Sequence, residues 1–489
     1  MTSLKSETAY ATRWSSITEV TSRLVLPLVN IVLARLLTPE AFGIVATITM
    51  IVSFAEIFAD AGFQKYIIQH DFAGRKELDE NTDVAFWTNL GIALLIWVII
   101  YFFRDGLAVL VGNAGLGDVM AIAAVSLPII AFSSIQMSRF KRDMDFKTLF
   151  FVRIIAIMVP VFVTLPIAFF THSFWALIIG TIMSNLVNAI VLMLRSAWKP
   201  SFFYSWKQLK AMFSYSWWIL LESITTWMTS YSDTFIVSVS MTAFYVGLYK
   251  TSMVTVNQIT GLIVASVSAP LFVALSRLQS DKKKLETTYN DYMQAVAYFI
   301  FPLSAGIWFF REFITLVLLG SQWTEASDFI GLWGLTSSVA LVLGTFANGL
   351  YNAVGKTFLS FSVALVNLAL MVPLLLWAAP QGFECVYLSR SLLRVPFVII
   401  QLTAMAIFLH YHVISLLKKL LPILFPTVLM SFCAVFMLPL SSSMIWSIFC
   451  IIICMAVYFG TSYIWQRKLL IQSCATLGIL PQRFITKNV

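Results

Sequence analysis

The run WSSITEVTSRLVLPLVNIVLARLL (14–37) is apolar enough to cross a bilayer, yet it holds Glu19, Arg23 and Arg35. A charge at the centre of a membrane helix costs about 2.5–3.5 kcal/mol on insertion scales, so it ordinarily faces protein or water. Positions four, seven or eleven apart share a helix face. On that rule Ser16, Glu19, Arg23 and Asn30 form one stripe, and Ser53, Glu56 and Asp60 a second. Glu222, Thr226, Thr229 and Asp233 form a third, Lys250 and Asn257 a fourth, and Arg390, Arg394 and Gln401 a fifth. Uncharged polar stripes join Thr181, Asn185 and Asn188, and Thr345, Asn348 and Asn352. Charges on several helices imply a hydrated cavity that they line together. The competing reading is structural: Glu19 and Arg23 form an i,i+4 ion pair, and the acids at 56 and 60 pair with Arg35 or Lys250. Recurrence on five helices argues against scaffolding alone.

Other patterns carry less chemistry. GLYNAVGKT (349–357) approaches a phosphate-binding loop, but five residues rather than four separate Gly349 from Gly355, and no strand precedes it. DMD (143–145) lies in a short basic loop with no room for a nucleotide domain. HYH (410–412) has no carboxylate near it in sequence to complete a metal site. No serine–histidine set or carboxylate pair occupies an outward loop large enough to enclose a sugar. No catalytic residue and no metal site is therefore expected, and the chain reads as a non-enzyme.

These residues are carried by a chain of 489 residues that is 60% hydrophobic and 11% charged, with mean hydropathy +0.87. Soluble domains carry about 25% charged residues, so this is a polytopic membrane protein. Long uniform apolar runs, rather than alternating ten-residue segments, make the spanning elements helices. At about 20 residues per span, fourteen are expected: 14–37, 41–64, 83–103, 119–138, 149–170, 174–194, 213–238, 243–274, 287–310, 326–351, 358–379, 384–408, 421–440 and 443–465. The polar start MTSLKSETAYATRWSS does not read as a cleaved signal peptide. Cysteines at 385, 433, 450, 454 and 474, odd in number and mostly within spans, argue against a disulfide framework.

Of the 32 Lys and Arg, all but Arg23, Arg35, Arg104, Lys250, Arg311, Arg390 and Arg394 fall on one side if the N-terminus is cytoplasmic. This positive-inside asymmetry places both termini in the cytoplasm and accounts for the net charge of +9 without nucleic acid. FGIVATIT (42–49) follows the first span as VGLYKTSM (246–253) follows the seventh, at an offset of 204 residues. Two parallel six-helix repeats and an extra helix pair would produce this. The expected divisions are 1–208 (spans 1–6), 209–413 (spans 7–12) and 414–489 (spans 13–14 and a cytoplasmic tail). Spans 13 and 14, without a charge between Lys419 and Arg467, are expected to face lipid.

The run WSSI…VLARLLTPEAFGIVA…FADAGFQKYIIQ resembles the start of the Wzx-type polysaccharide flippases, within the MATE-like MOP superfamily. FKRDMDF (140–146), APLFVALSRLQSDKKKL (269–285) and GSQW (320–323) resemble later family segments in order, and the nearest branch is that of colanic acid and exopolysaccharides. The resemblance implies two six-helix bundles forming a V around a central cavity. It implies as substrate an oligosaccharide repeat unit on undecaprenyl diphosphate, moved from the cytoplasmic to the outer leaflet of the bacterial cytoplasmic membrane by alternating access. By position Arg23 matches the cations that hold the diphosphate in the family. Lys250, Arg390 and Arg394 are further candidates without a motif match, and Asn30 and Asn257 could replace water around the sugars. The acids Glu19, Glu56, Asp60, Glu222 and Asp233 offset these cations and are candidates for cavity lining or ion coupling.

No cofactor is implied. Membrane potential, or a proton or sodium gradient, would drive transport, and a polysaccharide polymerase and a chain-length regulator are candidate partners. The alternative on the same fold is a multidrug or organic-cation antiporter, for which the acids would be the binding groups.

Overall fold

The computed structural model describes residues 2–60, 62–441 and 443–476, and the tail beyond Thr476 lies outside the described residues. Among them no strand occurs. The chain divides into a unit ending at Lys250 and a unit beginning at Thr251.

The first unit begins with α1 (Thr2–Leu36), α2 (Pro39–Asp60), the short α3 (Phe63–Gln69) and α4 (Arg75–Leu110). It continues with α5 (Gly117–Ala123), α6 (Ser126–Arg142), α7 (Phe146–Val159), α8 (Leu165–Thr171), α9 (Trp175–Arg195) and α10 (Trp206–Ser240), and it includes the start of α11 (Ala243–Arg277). Local chemistry sets the breaks. Pro39 opens α2 at the first helical position, where its missing N–H is not needed. Between α6 and α7, Met144 turns left-handed (φ 54°) and Asp145 caps α7 by accepting from the Thr148 backbone N–H at 3.0 Å. Arg142 closes the end of α3, donating to the carbonyls of Ile67 at 2.8 Å and His70 at 2.7 Å. The FKRDMDF segment is thus a helix-joining device.

Helix α2 packs on α4, α6 and α10, α1 on α7, and α6 on α9. The core of this layer holds Ile48, Met50, Ala93, Met120, Leu127 and Ile178. Trp227, Tyr231 and Phe235 of α10 pack against it, which ties α10 to this unit. The sequence repeat meets itself here. A Cβ on Gly43 would strike the Ala243 carbonyl, and a Cβ on Gly247 would strike the Pro39 carbonyl. Pro39 and Gly43 stand at the 204-residue offset from Ala243 and Gly247, so equivalent glycines let equivalent backbones touch.

The second unit contains the rest of α11, then α12 (Lys282–Phe309), α13 (Arg311–Leu318), α14 (Ser327–Ala340), α15 (Phe346–Ala353) and α16 (Thr357–Ala378). It ends with α17 (Phe383–Leu392), α18 (Arg394–Phe408), α19 (Val413–Met437) and α20 (Met444–Thr476). Helix α12 is its axis, packed on α14, α19 and α20 around Tyr289, Met293, Val296, Leu350, Met405 and Ile423. The exposed faces of α19 and α20 are apolar, with Leu421, Phe432, Phe436, Ile445 and Ile464 outermost.

Among the described residues, twelve helical stretches are long and apolar enough to cross a membrane, or 13 if α11, bent by 48° near Gly261, counts as one. The remaining expected span, the seventh (213–238), falls in α10, which is long enough at 35 residues but carries Glu222, Asp233 and many hydroxyls. A similar contact occurs once in each unit. Arg104 lies 2.8 Å from Asp118 with its guanidinium 4.8 Å from the Tyr101 ring, and Arg311 lies 2.7 Å from Asp328 and 4.9 Å from the Trp308 ring. In both, an arginine, within the last turns of α4 or at the start of α13, stacks on the aromatic residue three before it and pairs with the aspartate at the second position of a later helix, α5 or α14. All five cysteines are free.

Candidate functional site

Most of the candidate side chains of the first unit gather in three places. On α1, Arg23 Nε donates to Glu19 Oε1 at 2.7 Å, one turn apart. The side chains are 35% and 56% exposed, so the pair sits in an open setting. Such pairs contribute about 0.3–0.5 kcal/mol to a helix. Asn30, on the same stripe, is half-buried.

The second cluster lies where α10 meets the start of α11. Asp233 is buried and accepts from the Thr234 backbone N–H at 2.7 Å and from the Tyr249 hydroxyl at 3.1 Å. Lys250 Nζ is 3.4 Å from Thr234 Oγ1 and 4.8 Å from the centre of the Tyr231 ring. Folding therefore sets Asp233 and Lys250, 17 positions apart, on the same small network. Further along α10, Glu222 forms an exposed pair with Lys65 of α3 at 3.1 Å.

The third is a cavity of about 210 Å³ between α2, α6 and α9. Thr49, Ser53 and Glu56 line it from α2, Ser126 from α6, and Thr181 and Asn185 from α9. Two stripes read separately from the sequence thus converge. Thr181 donates to the Leu177 carbonyl at 2.8 Å, Ser126 to the Ala123 carbonyl, and Ser53 to the Met50 carbonyl at 2.9 Å. Hydroxyls that spend their proton on their own helix present oxygen lone pairs elsewhere. With the Glu56 carboxylate, the lining is rich in acceptors and suits a small cation or a proton. Trp227 of α10 donates to Ser53 Oγ at 3.0 Å and holds that wall. Asp60 is half-buried on the last turn of α2. Among the described residues no three His, Cys, Asp or Glu gather as for a metal ion.

The cations of the second unit sit differently. Arg390 and Arg394 approach the ring of Trp333 on α14, at 5.1 Å and 4.4 Å from its centre, and Arg394 also lies 5.8 Å from the Phe397 ring. Trp333 is fully buried and Arg390 is buried. Each guanidinium meets the negative face of a π-system, worth about 2 kcal/mol when desolvated. Gln401 is buried and donates to Asn348 Oδ1 at 3.0 Å, joining two sequence stripes. Asn257 is exposed on α11.

Thr49, Ser126 and Trp333 escaped the sequence reading. Thr49 stands four before Ser53 and was legible from spacing, whereas nothing in GLWGL (331–335) marks its tryptophan as a platform for arginines 57 and 61 positions later. The fold does bring one carboxylate to the HYH segment, with Glu286 Oε2 2.9 Å from His412 Nδ1, though among the described residues no third such group joins them. The acid comes from the first turns of α12, 126 positions earlier, and only the packing of α12 against α19 brings it there.

With this geometry in view, comparison with known proteins is informative. Residues 32–328 match the family described as "Polysaccharide biosynthesis protein". The chain is 25% identical over 338 residues to the succinoglycan biosynthesis transport protein ExoT of Rhizobium meliloti, covering 69% of this chain and 67% of the relative. It is 22% identical over 386 residues to the lipopolysaccharide biosynthesis protein WzxC of Escherichia coli, covering 76% and 75%. Among solved structures, the lipid II flippase MurJ superposes with a TM-score of 0.74 at 17% identity, over 93% of this chain and 99% of that one. A multidrug resistance MATE family transporter of the MOP superfamily gives 0.56 at 14% identity, over 83% and 98%. The chain shares the fold of these two structures. A match that spans more than half of its 489 residues makes this chain a multi-pass membrane member of the polysaccharide biosynthesis protein family.

Proposed function

We propose that this chain is a flippase. It moves an undecaprenyl-diphosphate-linked oligosaccharide repeat unit from the cytoplasmic to the outer leaflet of the bacterial cytoplasmic membrane, by alternating access, for assembly of a surface or exported polysaccharide. The observation that carries this reading is the family match over residues 32–328, together with one relative named for succinoglycan biosynthesis transport and another for lipopolysaccharide biosynthesis. Both termini lie in the cytoplasm, as the distribution of lysine and arginine supports.

In this reading Arg23 receives the diphosphate by exchanging Glu19 for a phosphate oxygen, a charge-assisted hydrogen bond. Lys250, Arg390 and Arg394 supply further positive charge, and Asn30 and Asn257 contact sugar hydroxyls. The prenyl tail stays in lipid beside α19 and α20, where an apolar cavity of about 300 Å³ lies between these helices and α12. Because the cytoplasm is electrically negative, outward movement of an anion releases about 2.3 kcal/mol per charge per 100 mV. Glu56, in its acceptor-lined cavity, is the favoured acid for a coupled proton or sodium ion, with Asp60 and Asp233 as further candidates. The repeats run over 1–208 and 209–413, with 414–489 as an appended pair, a division supported by the matched Arg104 and Arg311 contacts.

The test is deletion of the gene in its native host, followed by quantification of lipid-linked oligosaccharide and surface polymer. Accumulated lipid-linked repeat units with lost polymer, restored by the wild-type gene, are expected, and the accumulated glycan would name the substrate. An unchanged lipid-linked pool in a host without a second flippase would overturn the reading in favour of organic-cation antiport on the same fold.

A further inference from the structure

Apart from these sites, a cavity of about 900 Å³ lies where α12 and α19 begin, wholly within the second unit. Lys282 and Lys283 line it from α12, and Lys418 and Lys419 from α19. Two carboxylates temper them. Asp291 pairs with Lys419, and Glu286 lies 4.0 Å from Lys282 and accepts from His412 at 2.9 Å. Lys283 and Lys418 are exposed and have no ion-pair partner among the described residues. The cavity therefore carries net positive charge on its open side.

Its floor is built rather than incidental. The Tyr411 hydroxyl donates to Asn290 Oδ1 at 2.6 Å, and both residues are buried. Burial pushes the Tyr411 phenol far above its usual range, so it remains a donor. Asn290 Nδ2 in turn reaches Ser415 Oγ at 3.4 Å, fixing α12 to α19 beneath the lysines.

A second feature identifies what such a basic cavity would hold. From its rim, Ile414, Leu417, Leu421, Leu424 and Val428 run along one exposed face of α19 at helical spacing. A lysine cluster opening onto an apolar helix face, at the start of two membrane-length helices, matches an amphiphile with an anionic head and hydrocarbon chains. A free phosphate would need only the lysines.

We propose that this cavity binds the phosphate headgroup of an anionic glycerophospholipid, with its acyl chains laid along that face of α19. The basic loops put this end of the helices in the cytoplasmic leaflet, where anionic lipid would enter from the bilayer. Its ligand is independent of what the protein transports.

Native mass spectrometry of the purified full-length protein, titrated with phosphatidylglycerol or phosphatidylcholine, tests this directly. The wild type should retain phosphatidylglycerol in clear preference. A Lys282→Gln, Lys283→Gln, Lys418→Gln variant should bind it at least about tenfold more weakly, since each lysine near a lipid phosphate contributes about fivefold. The matching triple arginine variant should keep the preference, and Leu417→Gln with Leu421→Gln should weaken it while leaving the lysines in place. Equal retention of the two lipids by the wild type, or an unaltered preference in the glutamine variant, would overturn the proposal. So would displacement of the lipid by millimolar inorganic phosphate combined with indifference to the α19 substitutions, which would mark a free-phosphate site.

Discussion

In the first unit, Arg23 lies 2.7 Å from Glu19 in an open setting, and Lys250 joins a network of hydroxyls around Asp233. In the second, Arg390 and Arg394 rest on the buried ring of Trp333. The first arrangement holds a cation by a partner that another anion can replace at little net change in free energy. The second holds cations by packing, through the face of the guanidinium, and is tied to the core of α14. A cation on a helix surface and a cation on an indole differ in what they lose when a neighbour is removed. One should respond to mutation as a binding group and the other as part of the fold.

The largest effect expected from this contrast follows Trp333→Ala. Removing a fully buried tryptophan typically destabilises by about 3–5 kcal/mol, and the two arginines lose their platform as well. Thermal unfolding in detergent should show a large drop, with Trp333→Phe keeping much of the stability. A stable alanine variant would show that the arginines do not depend on the ring.

Arg23→Ala should do the opposite, abolishing polysaccharide export while leaving the amount and thermal stability of membrane protein unchanged. Glu19→Gln, which removes the competing acid and keeps the cation, should retain export. Normal export by Arg23→Ala would remove the diphosphate role from that residue, and lost stability would move it into the class of Arg390 and Arg394.

A smaller, qualitative change is expected for Glu56→Gln. Export measured while the proton or sodium gradient is varied should respond less steeply than in the wild type. An identical response would reassign coupling to Asp60, Asp233 or the membrane potential alone.

The smallest effect belongs to the Lys65–Glu222 pair, exposed on both sides. Exchanging the two residues should change stability by less than about 1 kcal/mol. A larger loss would mean that this contact is buried by something beyond the unit itself.

The fold was largely legible because lipid imposes a one-dimensional rule. Apolar runs of span length recur, and breaks such as Thr38–Pro39 and the DMD turn are written in local chemistry. α10 marks the edge of that rule, since Trp227, Tyr231 and Phe235 pack it against the core of the first unit while its acids and hydroxyls leave it less apolar than the other spans. At the site, the stripes of α2 and α9 could be read separately from helical spacing, but their meeting at one cavity could not. Trp333 was invisible because a buried aromatic in an apolar helix looks like any other core residue until its neighbours are known.

From residues alone, the protein's medium, its helical build and the identity of its intramembrane charges follow, because each depends on composition or on spacing along one helix. Tertiary structure alone decided which charges meet. It set Gly43 against the backbone near Gly247, Glu286 beside His412, and two arginines on Trp333, since contacts between helices depend on rotation and depth that no single helix encodes.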